Sequence, residues 1–185
     1  MDRQVVERAQ RGDREAFASI VHELSDPLFG LAYRILRDQP LAQDALQTTL
    51  LIAWRDLRRL RDLDRFDAWV RRILVNACYR ESRDRSRWQA HVRLLPLEMP
   101  TTARDDEAVV DRDLLERSFA VLSMEQRAIF VLHHHLGLPL VEIAETLGIP
   151  PGTARSRLHY ATRALRAALE TGTEVRLPVA EERLA

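Results

Sequence analysis

Between Gly152 and Arg166 stand four arginines and no acid. Arg155, Ser156, Arg157, His159, Arg163 and Arg166 fall outward of a helical stripe made by Ala154, Leu158, Ala161 and Leu165. Guanidinium groups bind phosphate oxygens and guanine edges in pairs of hydrogen bonds, so a helix of this kind suits the major groove of duplex DNA. An ordinary helical hairpin with a solvated basic face would carry the same residues. A second group repeats on the segment that begins at Phe66, where Trp69, Arg72, Asn76, Tyr79, Arg80 and Arg83 share a stripe beside the apolar one. Aromatic rings interleaved with cations suit unpaired DNA, because rings stack on exposed bases while guanidinium groups hold the backbone. Trp69 and Tyr79 are equally well read as partly buried core aromatics.

Enzyme chemistry finds no matching set. His22, His91 and the run His133, His134, His135 have no Ser, Cys or carboxylate at a spacing that makes a triad or metal site, and no Gly-rich phosphate loop occurs. Three consecutive histidines cannot share one helical face. The reading is therefore a non-enzymatic chain with no cofactor and no metal. The lone Cys78 excludes an internal disulfide, and its apolar helical setting makes it a small core residue.

Helices must position these groups. The chain of 185 residues is 46% hydrophobic with only six glycines, a balance that favours an all-helical fold. Asp13 is a plausible cap for a helix carrying Phe17, Ile20, Val21 and Leu24, and Ser25-Asp26-Pro27 predicts a boundary or kink before Leu28, Leu31, Ala32 and Ile35. Asp38-Gln39-Pro40 marks a break. From about Leu41 to Trp54, Ala42, Ala45, Leu46, Thr49, Leu50 and Ala53 point inward, while Gln43, Asp44, Gln47 and Leu51 point outward. An arginine-rich link, Arg55 to Arg65, leads into the Phe66 helix. Ser123-Met124-Glu125-Gln126 fits a capping box. Leu140, Ile143, Ala144 and Leu147 then make a short amphipathic helix, Gly148 supplies the positive φ of a reversal, and Thr153 is a plausible N-cap for the next helix.

A formal net charge of zero hides a segregated distribution. Arg55 to Leu95 has twelve arginines against six acids, Pro96 to Glu125 three against eight. The acidic stretch LEMPTTARDDEAVVDRD has little periodic apolar content and reads as a linker with solvated Asp105, Asp106 and Glu107. The segment after Glu170 reads as a frayed tail. No stretch approaches the roughly 18 apolar residues of a membrane span and no apolar signal core follows Met1, so a cytoplasmic location without membrane insertion is expected.

Four segments in this order, DALQTTLLIAWRDL, FDAWVRRILVNACYRESR, LSMEQRAIFVLHHHLGL and VEIAETLGIPPGTARSRLHYATRALR, resemble the sigma-70 family of bacterial RNA polymerase initiation factors, specifically its small extracytoplasmic-function group. The resemblance implies two small helical domains. Residues 1–92 would form sigma region 2, residues 93–112 a flexible acidic linker, residues 113–171 the region 4 helix-turn-helix, and residues 172–185 a disordered tail. It implies a DNA-binding factor that associates with core polymerase and directs it to promoters. Asp44, Gln47, Leu51 and Trp54 would grip the coiled coil of the largest polymerase subunit, and region 4 its flap. Arg61, Arg65, Trp69, Arg72, Asn76, Tyr79, Arg80 and Arg83 would hold and melt the single-stranded minus 10 element. Thr153, Arg155, Ser156, Arg157, His159 and Arg163 would read the duplex minus 35 element. Small factors of this type are often held by an anti-sigma factor. Pro139 stands where relatives often have a small hydroxyl cap, which predicts a different start for that helix.

Overall fold

The computed structural model describes the backbone of residues 1–92 and 118–174, and the side chains of residues 1–85 and 118–170. The linker 93–112 with Asp105, Asp106 and Glu107, residues 113–117, the side chain of Trp88 and residues 175–185 lie outside that description. All regular structure in the described residues is helical.

Local chemistry sets the helix ends. Asp2 caps α1 (Arg3–Gln10) by accepting from the Gln4 amide. The turn that follows places Gly12 at φ 98°, a left-handed backbone conformation that favours glycine. Asp13 caps α2 (Arg14–Leu36) through the Glu15 and Ala16 amides and also accepts from Arg8. The helix runs unbroken through Pro27, so of the boundary or kink expected there the boundary does not form. Proline removes one amide from the ladder, but Ile20 on one side and Leu28, Leu31, Ala32 and Ile35 on the other are buried in one core, and that packing holds the helix together. Arg37 at φ 58° ends α2, and Asp38 caps α3 (Gln39–Asp56) with Pro40 in its first turn. Within α3 the buried Thr49 hydroxyl donates to the Ala45 carbonyl at 2.6 Å, which removes the cost of burying it.

The arginine-rich link folds into two short 3-10 turns, Leu57–Arg59 and Leu63–Arg65. Gln10 Nε2 donates to the carbonyls of Leu57 and Leu60 at 3.2 and 2.6 Å and ties that link to α1. Next comes α4 (Phe66–Val92), whose Phe66, Val70, Leu74, Val75, Ala77 and Cys78 are all at most 2% exposed. Helices α2, α3 and α4 pack together around this row.

The second unit opens with helical residues 118–120 and a full capping box, in which Ser123 and Gln126 exchange side-chain and backbone hydrogen bonds at the start of α5 (Met124–His134). Pro139 precedes α6 (Leu140–Leu147) without any side-chain cap. Gly148, at φ 64°, closes α6 in the left-handed region. Helix α7 (Pro151–Glu174) packs on α5 and α6. Its start corrects the expectation for Thr153. Helix geometry begins at Pro151, whose missing amide is one of the unpaired donors of any first turn, so Thr153 lies inside that turn and is not the N-cap. The helix also extends through Glu174, so residues 172–174 of the expected tail are helical.

The two units do not stand apart. Helix α6 packs on α4 and α5 packs on α2, and a single buried cluster runs from Val6 and Ile20 through Val70 and Leu74 to Ile129, Leu132, Ile143 and Ala154.

Candidate nucleic-acid interface

Helix α7 presents Arg155, Ser156, His159, Arg163 and Arg166 as exposed side chains, because Ala154, Ala161 and Leu165 take the inner face. Ser156 Oγ donates to the Thr153 carbonyl at 3.1 Å. Thr153 itself is half-buried, and so is Arg157, which departs from its expected outward position. Arg157 lies at the flank of the helix, close enough to Tyr79 of α4 for its charge to act on that phenol. Tyr160 was missed by sequence reasoning and is 58% exposed, next to His159 with ring centroids 5.7 Å apart. The signal was available, since position 160 is four residues from Ser156 and three from Arg163, the spacing of one helix face.

On α4, Arg72, Asn76, Arg80 and Arg83 are exposed at helical spacing and form a line of three cations and an amide. At its upper end, Arg61, Arg65, Trp69 and Arg72 line one wall of a cleft of about 290 Å³. Trp69 is half-buried against Phe66, ring centroids 6.0 Å apart. Tyr79 is half-buried too, and its hydroxyl has no hydrogen-bond partner among the described residues. Burial pushes its phenol up to about 12, the Glu125 carboxylate adding to the effect and the Arg157 guanidinium opposing it. The two aromatics are thus partly core and partly surface.

The opposite wall of the cleft comes from α6, through Glu142, Glu145 and Thr146. Arg65 Nη2 meets Glu145 Oε2 at 3.1 Å and Arg71 Nη2 meets Glu142 Oε1 at 3.3 Å. These two acids were not singled out from the sequence. They lie three residues apart and outside the apolar stripe of α6, which placed them on its outer face but could not say what that face meets.

A third surface lies on α3. Asp44, Gln47, Leu51 and Trp54 are all exposed along one side, Leu51 at 70% and Trp54 at 40%. The Trp54 ring also rests on Phe17, with centroids 4.7 Å apart, which orients it at the edge of the patch. The three histidines after Leu132 diverge: His133 Nδ1 meets the Leu138 carbonyl at 3.0 Å, His134 packs on Phe130 at 4.4 Å, and His135 is exposed. Among the described residues no helix is long and apolar enough to cross a membrane.

Comparison with known proteins follows these surfaces. Residues 20–87 match the family described as Sigma-70 region 2, and residues 112–165 match Sigma-70, region 4. The chain is 31% identical to the RNA polymerase sigma-H factor of Pseudomonas aeruginosa, over 91% of this chain and 94% of that one. It is 35% identical to the ECF RNA polymerase sigma factor SigL of Mycobacterium tuberculosis over 86% and 94%. SigW of Bacillus subtilis, another ECF sigma factor, is 28% identical over 87% and 92%. In fold it is similar to CnrH, solved in complex with the cytosolic domain of CnrY, at a TM-score of 0.67 and 23% identity, covering 92% of this chain and 97% of that chain. The two region matches, in the order and separation that the helices themselves display, show that this chain belongs to the sigma-70 family as an extracytoplasmic-function sigma factor, a non-enzymatic initiation factor that directs RNA polymerase to promoters.

Proposed function

We propose that the chain grips a promoter at two points while α3 is clamped to the polymerase. In this reading Asp44, Gln47, Leu51 and Trp54 dock on the coiled coil of the largest subunit, with Leu51 as the apolar anchor. The cleft of Arg61, Arg65 and Trp69 captures a base extruded from the non-template strand of the minus 10 element. Arg72, Asn76, Arg80 and Arg83 hold the adjoining backbone, with Tyr79 at the edge of that line. Helix α7 enters the major groove of the minus 35 element, where Arg155, Ser156, Arg157 and His159 face base edges and Arg163 a phosphate. Thr153 sits in the first turn of that helix, nearest the groove floor. Region 4 contacts the polymerase flap, which sets the distance between the two grips. A regulator of the anti-sigma class holds the chain when its promoters are silent; the similar fold of the sigma factor RpoE from Bartonella quintana was solved in complex with the anti-sigma factor NepR.

The observation that carries this reading is the exposed line Arg72, Asn76, Arg80, Arg83 continuing from a cleft lined by Trp69 and two further arginines. A factor that bound only duplex DNA would have no use for an aromatic-lined cationic cleft on a second domain. The test is run-off transcription with core polymerase, combined with permanganate probing of thymines in the minus 10 element. Asn76→Ala should assemble holoenzyme normally and slow bubble formation. Thymine reactivity equal to that of the wild type would remove α4 from the melting step, and tight, specific duplex binding without polymerase would contradict the division of labour.

A further inference from the structure

The segment that supplies Leu60, Arg61 and Asp62 to the cleft wall has no regular structure of its own. It runs between the two 3-10 turns, Leu57–Arg59 and Leu63–Arg65, and Arg61 and Asp62 are exposed. A short exposed loop of this kind ordinarily samples several backbone conformations. Helix α1 holds it at two places. Gln10, the half-buried last residue of α1, donates from Nε2 to the Leu57 carbonyl at 3.2 Å and to the Leu60 carbonyl at 2.6 Å, so both hydrogens of one amide bind the backbone just before Arg61. The second of these oxygens belongs to the peptide bond that carries Arg61. Beyond the cleft residues, Arg3 Nη1 pairs with Asp64 Oδ1 at 2.6 Å. Helix α1 serves as a fixed point because its Val6 and Ala9 are at most 3% exposed, in the same buried cluster as Leu57. Its residues precede the stretch 20–87 that matches region 2, and nothing in the promoter grip described above uses them.

We infer that Gln10 is a positioning residue for recognition of the minus 10 base: by holding the Leu57 and Leu60 carbonyls it fixes the Leu60–Arg61 peptide and sets the Arg61 side of the cleft in place beside Trp69 before a base arrives. A wall ordered in advance avoids the entropy loss of ordering it on binding. Freed from α1, the segment has to be ordered by the base itself. The loss then falls on the cognate base, whose contacts need the ordered wall, while a base that already fits poorly loses little. Arg3 with Asp64 makes a second and weaker tie, since both side chains are more than 60% exposed and an exposed ion pair contributes little. This inference rests on the assignment of the α4 cleft to the minus 10 strand.

The test compares holoenzymes assembled from full-length chains on a promoter that the wild type opens and on templates with each minus 10 base replaced in turn. The readout is the ratio of open-complex rates, cognate over replaced, from a fluorophore at the downstream edge of the bubble. Gln10→Met keeps a side chain of similar length and a good helix former and removes both donors. It should assemble holoenzyme as wild type does and lower the ratio about three- to tenfold at the position whose base enters the cleft, the effect of roughly one net hydrogen bond. Gln10→Lys, whose ammonium donates in three directions, should recover most of the ratio. A Gln10 that merely supports the fold would slow opening on all templates by one factor and leave the ratio alone. Arg3→Ala, at an exposed position, should lower the ratio at the same base by about twofold; if a thermal melt shows that Gln10→Met does not fold, Arg3→Ala and Gln10→Lys decide alone. An unchanged ratio in Gln10→Met or Arg3→Ala, an equal slowing on every template, or no recovery in Gln10→Lys would each overturn the inference. Trp69→Ala separates it from the reading beneath it. A wild-type ratio in Trp69→Ala removes the cleft from base capture, whereas a lowered ratio there beside no change in Gln10→Met removes only the brace.

Discussion

Leu51 gives the sharpest test of the polymerase-facing surface, because its own exposure divides the expected effect between folding and binding. Full burial of a leucine side chain contributes about 1.5 to 3 kcal/mol. In the free chain Leu51 is 70% exposed, so roughly 1 to 2 kcal/mol of that is still to be gained when a partner covers it, and only about 0.5 to 1 kcal/mol is engaged in the fold. Leu51→Ala should therefore raise the Kd for core polymerase by about five- to thirtyfold while lowering Tm by only a few degrees. Alanine also suits a helix interior better than leucine, which offsets part of even that small loss. The assay is fluorescence anisotropy of labelled chain titrated with core enzyme, beside a thermal melt of the free chain. A Kd within twofold of wild type would refute the placement of Leu51 at the centre of the contact. A large fall in Tm with a matching fall in affinity would show that the leucine belongs to the core.

Other outcomes follow from single residues. Arg157→Ala should lower transcription by about 1 to 3 kcal/mol in a manner that depends on the minus 35 sequence, and an equal loss on every promoter would place the guanidinium on the backbone. Ser123→Ala removes one arm of the capping box of α5 and should cost about 1 kcal/mol in chemical denaturation; no change in the midpoint would mean that the turn is held by other contacts. Burial pushes the Cys78 thiol up to about 12 and leaves no surface for a reagent to reach, so an aromatic disulfide reagent should react only after unfolding. Prompt labelling of the native chain would contradict the packing of α4. The Ala16 amide first and the Arg8 guanidinium next hold the Asp13 carboxyl below its ordinary value of 3.8. A carboxyl with a depressed folded value adds stability above 3.8 and loses it as pH falls through that folded value. Asp13→Asn keeps an acceptor for the cap and removes the charge, so it should lower Tm at neutral pH and reduce its fall on acidification, and parallel Tm curves for the two proteins would discount the contribution of the carboxylate charge.

Much of the candidate site was legible because its signals are local. The stripe Ala154, Leu158, Ala161, Leu165 told which side of α7 is free, and the same spacing argument placed Asp44, Gln47 and Leu51 outside on α3. Capping at Asp13 and Ser123 and the reversal at Gly148 needed only groups within four residues of one another, whereas Asp38, read only as part of a break, proved to cap α3. Trp69 and Tyr79 could not be resolved between core and surface from periodicity, because they sit at the border of the apolar stripe. The structure puts both at intermediate burial for that reason. At Pro27 the local rule left a boundary and a kink open, and the continuity of α2 was decided by packing, since α3 and α4 both pack on it.

By itself the sequence determined the all-helical class, the caps at Asp13 and Ser123, the apolar stripes of most helices and the four segments that carry the family resemblance, since all of these depend on neighbours within one or two turns. Tertiary structure alone decided that α6 lies on α4, that Glu142 and Glu145 face Arg71 and Arg65, and that Arg157 is half-buried with its charge within reach of Tyr79. Residues 71 and 80 positions apart meet only when two separately formed helices dock. Which outer faces meet depends on the combined shape and charge of both surfaces, a property that no single stretch of chain contains.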